Sequence, residues 1–417
     1  MKRALPSILL CMLATAAACA DSTEEPSSPV DADASVQTPP SDAGAPTEAS
    51  ADATPATDAE PGPPSTCNED GWCRLALPDP QPFGLSNFRI IGLVMDGPGK
   101  VWAATNSFPL GDGYPTSHLL HYENGAWSTA YGIGPDQPGP FPYSLLAIAG
   151  NGAGSLMAVG KTSSYEIWPP QPIVLRLENG KVIEEHPEGL RAFVAVGFTS
   201  TTDAYALDDE GRLYATTIGS DGPLVWTEQA TPHAPASGGW PPGPKTFFVS
   251  TDGKLILGGE DWAEWPPRKY IDRQLGDGSW MTSFLPDTYF DIQAGTSTSS
   301  DALWLVGPYF IGAKQLPSEV PDAEDPPEPV WSTMPNPYSS HTFRSIWARN
   351  ENDIWAAGDV GRVFHFDGTT WSDAKLALNG APMSVDPLNA VTGWPATGEL
   401  WIGGESLALH YTPKGTP

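Results

Sequence analysis

Seven histidines, 50 acidic side chains, four cysteines and 16 tryptophans are the groups in this 417-residue chain that could do chemistry. His121, His365 and His410 fall at one recurring place in a repeated pattern, which reads as a structural slot. His118, His186, His233 and His341 show no H-x-x-x-H spacing of the kind that puts two ligands on one metal. A Gly-x-Ser-x-Gly elbow, a phosphate loop and a dinucleotide fingerprint are all missing, so no motif for nucleophilic or cofactor chemistry is present and no cofactor is expected. Glu319, Asp322, Glu324, Asp325 and Glu328 cluster among prolines without a D-x-D-x-D-G loop, which predicts a solvated acidic segment and not a calcium site. Asp208-Asp209-Glu210-Gly211 reads as a turn. Four tryptophans are more promising. Trp168, Trp240 and Trp265 each open a Trp-Pro-Pro tripeptide, and Trp262 lies close to the third. Proline stiffens the backbone, so an aromatic ring held there costs little entropy to use. Such rings stack on sugar faces or anchor a protein partner.

The elements that position these groups begin after an export segment. Lys2 and Arg3 precede a short apolar run over 4–18, too short to span a bilayer. Ala16-Ala17-Ala18-Cys19 resembles the lipobox of bacterial lipoproteins, with Ala16 where Leu is usual. That resemblance implies removal of residues 1–18 and lipidation of Cys19, and Ala20 implies sorting to the outer membrane. Ordinary cleavage after Ala18-Cys19-Ala20 also fits, and would leave a secreted or periplasmic protein. Residues 20–66 hold nine Pro, ten Ala and ten acidic residues with no Lys or Arg. A segment so poor in large apolar groups cannot offset its ordering entropy, so 19–66 is expected to be a disordered tether. Cys67 and Cys73 remain as an even pair in an oxidising compartment and are expected to form a disulfide.

Charge narrows the partners. The formal net charge is −29, which opposes binding to nucleic acid or to anionic lipid surfaces. The abundance of helix-breaking residues, 46 Pro and 43 Gly, argues against long helices.

From residue 67 the chain repeats. One slot recurs around Trp102, Met157, Tyr205, Leu255, Trp304, Trp355 and Trp401, at intervals of 46 to 55 residues. The sixth unit divides into four short runs, 343–348, 353–357, 362–366 and 371–375, parted by turn residues such as Asp367-Gly368. Four antiparallel strands at a period near 50 predict an all-β fold, a seven-bladed β-propeller over 67–417. The seventh unit has a third strand at 408–411 and no fourth, and 72–77 matches the missing one, so the N-terminal strand should close the ring. Trp72, Trp127, Trp226, Trp280, Trp331 and Trp371 fill the fourth-strand slot, where packing between sheets is expected.

In such a ring the connections from second to third strand emerge on the same face as the connections between blades. They are expected to be long at 105–116, 161–172, 260–269 and 308–329, and that face carries Trp168, Trp240, Trp262 and Trp265. Asp291 and Asn389 are the carboxylate and amide placed by the pattern on inner strands, where a glycosidase-type pair could meet from distant blades.

The units around 353–371 and 121–127 resemble the D-V-W-A-V-G…H-x-D-G-x-x-W repeats of a large, mostly uncharacterised family of Gram-negative bacterial lipoproteins. The resemblance implies the propeller fold and a lipid-anchored place in the envelope; the uneven loop face, its rigid tryptophans and the missing catalytic motifs point to a monomeric platform for a glycan or protein ligand. The alternative is a carbohydrate-active hydrolase or lyase with acid and base at the channel. A distant similarity to the Asp-box propellers of sialidases fails at Asp367-Gly368, which are adjacent where the box has an intervening residue.

Overall fold

The computed structural model describes residues 66–414, apart from 111–113, 133–141, 164–168, 179, 220–221, 236–242, 264, 286–290, 299–301, 309, 316–330 and 336–340; of 310–315 and 331–335 it describes the backbone. The expectations for Cys19, the lipobox and the tether lie outside the described residues, as do Trp168 and Trp240.

Short β-branched and aromatic runs broken by Gly and Asn turns give an all-β propeller of four-stranded antiparallel blades. Seven such sheets form. The first uses Ile90–Gly97, Lys100–Thr105, His118–Glu123 and Ala126–Gly132; the second Tyr143–Gly150, Leu156–Thr162, Pro172–Glu178 and Lys181–Glu185; the third Phe193–Phe198, Asp203–Asp208, Leu213–Thr217 and Thr227–Gln229. The fourth uses Thr246–Val249, Leu255–Asp261, Arg268–Gln274 and Trp280–Phe284; the fifth Ala294–Ser297, Ala302–Gly307, Phe310–Gln315 and Trp331–Pro335; the sixth Phe343–Asn350, Asp353–Gly358, Val363–Phe366 and Trp371–Asp373. The last sheet takes Leu388–Trp394, Glu399–Gly404 and Leu407–Tyr411 from the C-terminus and Trp72–Ala76 from the N-terminus. First strands of successive sheets touch in a closed circuit, the seventh against the first.

Closure is by strand pairing, with Trp72 opposite Tyr411 and Ala76 opposite Leu407. Trp72 is buried between Tyr411 and Trp355, at ring-centroid distances of 4.9 and 5.7 Å. Cys67 and Cys73 are disulfide-bonded beside this strand.

The core lies between blades, and the repeated tryptophans build it. A fourth-strand Trp packs on the second-strand Trp of the preceding blade: Trp127 on Trp401 at 5.8 Å, Trp72 on Trp355 at 5.7 Å, and Trp371 on Trp304 at 6.1 Å. Three of the second-strand tryptophans in turn carry a histidine. Trp102 stacks on His121, Trp355 on His365 and Trp401 on His410, with centroids 4.0 to 4.3 Å apart. In the sixth blade Asp353 accepts hydrogen bonds from the Trp355 indole and binds His365; in the seventh Glu399 does the same for Trp401 and His410. Three of the seven histidines are thereby structural.

Two loop expectations need correction. The fifth blade's second-to-third connection is not the long segment 308–329. Phe310–Gln315 pairs with Ala302–Gly307 at once, so only residues 308 and 309 intervene. In chain order the acidic stretch therefore falls between the third strand and the fourth, which begins at Trp331. In the fourth blade, pairing runs on through Glu260–Lys269 and Asp261–Arg268, so the expected loop 260–269 shrinks to a hairpin tip at 262–267. Backbone hydrogen bonds explain both, because each added ladder pair removes unpaired polar groups.

Candidate functional site

The face carrying the second-to-third connections and the links between blades holds the candidate site, centred on the fourth blade. The tip at 262–267 presents Trp265 at 82% exposure. Trp262 is half-buried beside it, ring centroids 5.8 Å apart and planes tilted by 40°. Of the four tryptophans singled out, the structure brings these two together.

At the base of the same hairpin, where the fourth blade meets the fifth, lies a polar cleft of about 290 Å³. Lys245, Gly259, Glu260, Lys269, Asp291 and Gln293 are among its lining residues. Lys269 is buried, unusual for lysine, and survives there by pairing. Its ammonium donates to Glu260 and, over 2.7 Å, to Oδ1 of Asp291. Lys245 Nζ donates to the other oxygen of Glu260 at 3.0 Å. Burial by itself would push the Lys269 ammonium down, but the bonds to Asp291 and Glu260 outweigh it and hold the ammonium above its ordinary value. Burial would likewise raise Glu260, and the bonds from Lys269 and Lys245 reverse the sign, keeping its carboxyl below the ordinary range. Two ammonium groups and two carboxylates thus alternate in one chain of contacts. Glycine at 259 keeps the floor open to a neighbouring ring: a Cβ there would lie 2.6 Å from the hydroxyl oxygen of Tyr270.

Behind the same hairpin Tyr270 stacks on His233, centroids 3.8 Å apart. His233 Nδ1 lies 2.8 Å from Oδ2 of Asp272, which is fully buried and also accepts from Thr282 at 2.6 Å. This pair ties the link between the third and fourth blades to the third strand of the fourth.

Asp291 sits in the link before the fifth blade, not on its inner strand, and lines the cleft. Asn389 is on the inner strand of the seventh blade and donates to the Ile90 carbonyl at 3.1 Å, a bond between blades. The two are not brought together as an acid–base pair. Asp208 accepts from the backbone of Glu210 and Arg212, so 208–211 is the expected turn. Sequence reading missed Lys245, Glu260, Lys269 and Gln293. The one available signal was the third strand of the fourth blade itself, whose sequence RKYIDRQ puts Lys269, Asp272 and Arg273 where the other blades carry mostly apolar residues.

The chain matches no family model and no curated protein. Its fold is similar to YCF48 bound to D1 peptide (14% identity, TM-score 0.55, covering 84% of this chain and 99% of that one). Virginiamycin B lyase from Staphylococcus aureus is similar at 14% identity and TM-score 0.54, covering 82% and 98%. So is the extracellular domain of the putative one component system BT4673 from B. thetaiotaomicron, at 12% and 0.54, covering 83% and 40%. These likenesses show the propeller fold.

Proposed function

We propose that this chain is a lipid-anchored binding protein of the bacterial cell envelope, whose seven-bladed propeller holds a glycan or protein ligand on the loop face. The observation that carries the reading is Trp265, an 82%-exposed aromatic on a short hairpin whose base is a polar cleft. A large ring left in water by a chain that buries its repeated tryptophans is an available anchor. Loop-face aromatics on a rigid ring suit recognition, because the scaffold has already met the ordering cost. YCF48, of similar fold, has been captured with a peptide, so a ring of this kind can serve as a platform. Anchoring would follow from lipidation of Cys19, with 19–66 as spacer, sorting to the outer membrane, and a monomeric propeller. The sequence resemblance to Gram-negative propeller lipoproteins supports this placement, and among the described residues no helix is long and apolar enough to cross a membrane. Within this cleft Glu260, held below the ordinary carboxylate range by Lys269 and Lys245, is not the raised carboxyl that a glycosidase uses as its acid.

The test is cross-linking of the full chain on intact envelopes, beside a variant with Trp262→Ala and Trp265→Ala. Glycan or protein captured by the parent and lost by the variant supports the loop-face site; capture unchanged by the substitutions refutes it. Cys19→Ser should move the chain from the detergent phase to the aqueous phase. A chain that partitions identically with and without Cys19 refutes the anchor.

A further inference from the structure

The cleft at the base of the fourth-blade hairpin has a composition that selects among ligands. Its charges are paired off along one line, Lys245 to Glu260 to Lys269 to Asp291. A charged ligand would meet a group of its own sign beside every partner it binds, and an anionic one would also approach a chain of net charge −29. A hydroxyl-bearing ligand need break nothing. Asp291, 64% exposed at its side chain, takes Lys269 on Oδ1 and among the described residues has Oδ2 left to accept from a hydroxyl. Lys245, 59% exposed, has spent one of its three hydrogens on Glu260 and can donate to the same sugar edge. Gln293 adds an amide that both donates and accepts. Adjacent donors and acceptors fixed by an ion-paired lysine are what vicinal hydroxyls require, since each hydroxyl is donor and acceptor at once.

The hairpin also sets the reach of the site. Trp265 is four residues from Lys269 along the third-strand side, so its Cα lies at most about 14 Å from that residue's Cα. Cleft and tip are therefore close enough for one short oligosaccharide to reach both. The tilted pair of Trp262 and Trp265 offers apolar faces for ring stacking at the far end.

We propose that the cleft and the Trp262–Trp265 tip form one site for an uncharged oligosaccharide of at least two residues, with Asp291, Lys245 and Gln293 binding the hydroxyls of one unit and Trp265 stacking on another. The proposal rests on the loop-face reading above and narrows it to one ligand class.

The experiment is an array of immobilised neutral and acidic oligosaccharides probed with the full chain and with single variants. Trp265→Ala changes an exposed side chain, and Asp291→Asn keeps the side-chain shape while Glu260 still pairs with Lys269; thermal unfolding of each variant checks that it folds as the parent does. Val225→Ala alters another exposed apolar residue, on the third blade away from the site, and controls for adhesive binding. The expected result is binding to neutral di- or longer saccharides and not to monosaccharides, weakened at least tenfold by Asp291→Asn and by Trp265→Ala and unchanged by Val225→Ala. Binding confined to acidic glycans, or binding indifferent to Asp291→Asn, overturns the proposal while leaving the loop-face platform standing. Absence of glycan binding together with Trp265-dependent capture of an envelope protein overturns it in the same way. Absence of both overturns the platform as well.

Discussion

Replacing Trp72 by Ala tests whether the ring is held shut by packing. Trp72 is 2% exposed, opposite Tyr411 in the closing ladder, and wedged against Trp355 of the sixth blade. Truncating a buried Trp costs about 3–5 kcal/mol. Area gives a similar figure, since roughly 200 Å² at about 25 cal/mol per Å² is about 5 kcal/mol. The propeller unit, Pro63–Pro417, is large, and its unfolding entropy near Tm is about 0.7 kcal/mol per degree. Trp72→Ala should therefore lower Tm by about 4–7 °C. The disulfide closes a short loop, with its cysteines six positions apart, so Cys67→Ser with Cys73→Ser should remove about 2 kcal/mol, or about 3 °C. Both perturbations act on one strand, so the combined variant should deviate from additivity. Calorimetry on the four proteins checks this. A Tm shift below about 1 °C for Trp72→Ala, or a larger loss from the cysteine pair than from Trp72, would refute closure by packing and leave the covalent link as what holds the strand.

Three further outcomes follow from the fold. In the sixth and seventh blades burial opposes ionisation of Asp353 and Glu399, but the bonds from His365 and Trp355, and from His410 and Trp401, outweigh it and hold both carboxyls below their ordinary values. The stability they contribute is present above the unfolded carboxylate pKa, about 4, and is lost as pH falls through the lower folded value. Tm measured from pH 6 to 3 should therefore drop at the acid end, less steeply after Asp353→Asn and Glu399→Gln; an unchanged slope in both variants counts against the assignment. Gly361 has φ +68°, and a Cβ there would lie 2.2 Å from the Ser384 carbonyl oxygen, so Gly361→Ala should lower the urea midpoint by the equivalent of about 2–4 kcal/mol. Asp272→Ala strips the buried partner from His233 and Thr282 and should cost about 3–5 kcal/mol by the same assay, while a loss under about 1 kcal/mol would show that the pair does not fasten the link to the fourth blade.

The period near 50, the four runs per unit and the turn dipeptides all act within one blade, over separations of a few residues, so they are legible along the chain. The closing strand was legible too, because the absent fourth strand of the last unit and the orphan 72–77 carry the same Trp-centred pattern. The Trp-Pro-Pro tripeptide singled out Trp265 in the sequence, but whether its ring stands in water or folds onto its own loop was decided by the fold. Nor was the order of strand and loop in the fifth blade legible, because it depends on which of two apolar stretches pairs first with 302–307, and ladder pairing decided for 310–315. The candidate cleft lay still further from reach. Lys269 meets Glu260 across a hairpin, and Asp291 from the next blade, 22 residues away. His233 meets Asp272 over 39 residues. Strand periodicity is a one-dimensional signal repeated blade by blade, whereas contacts between blades arise from the angle at which the closed ring sets neighbouring sheets. The sequence determined the unit and its number of strands; the ring's closure decided which charged groups from different units share a site.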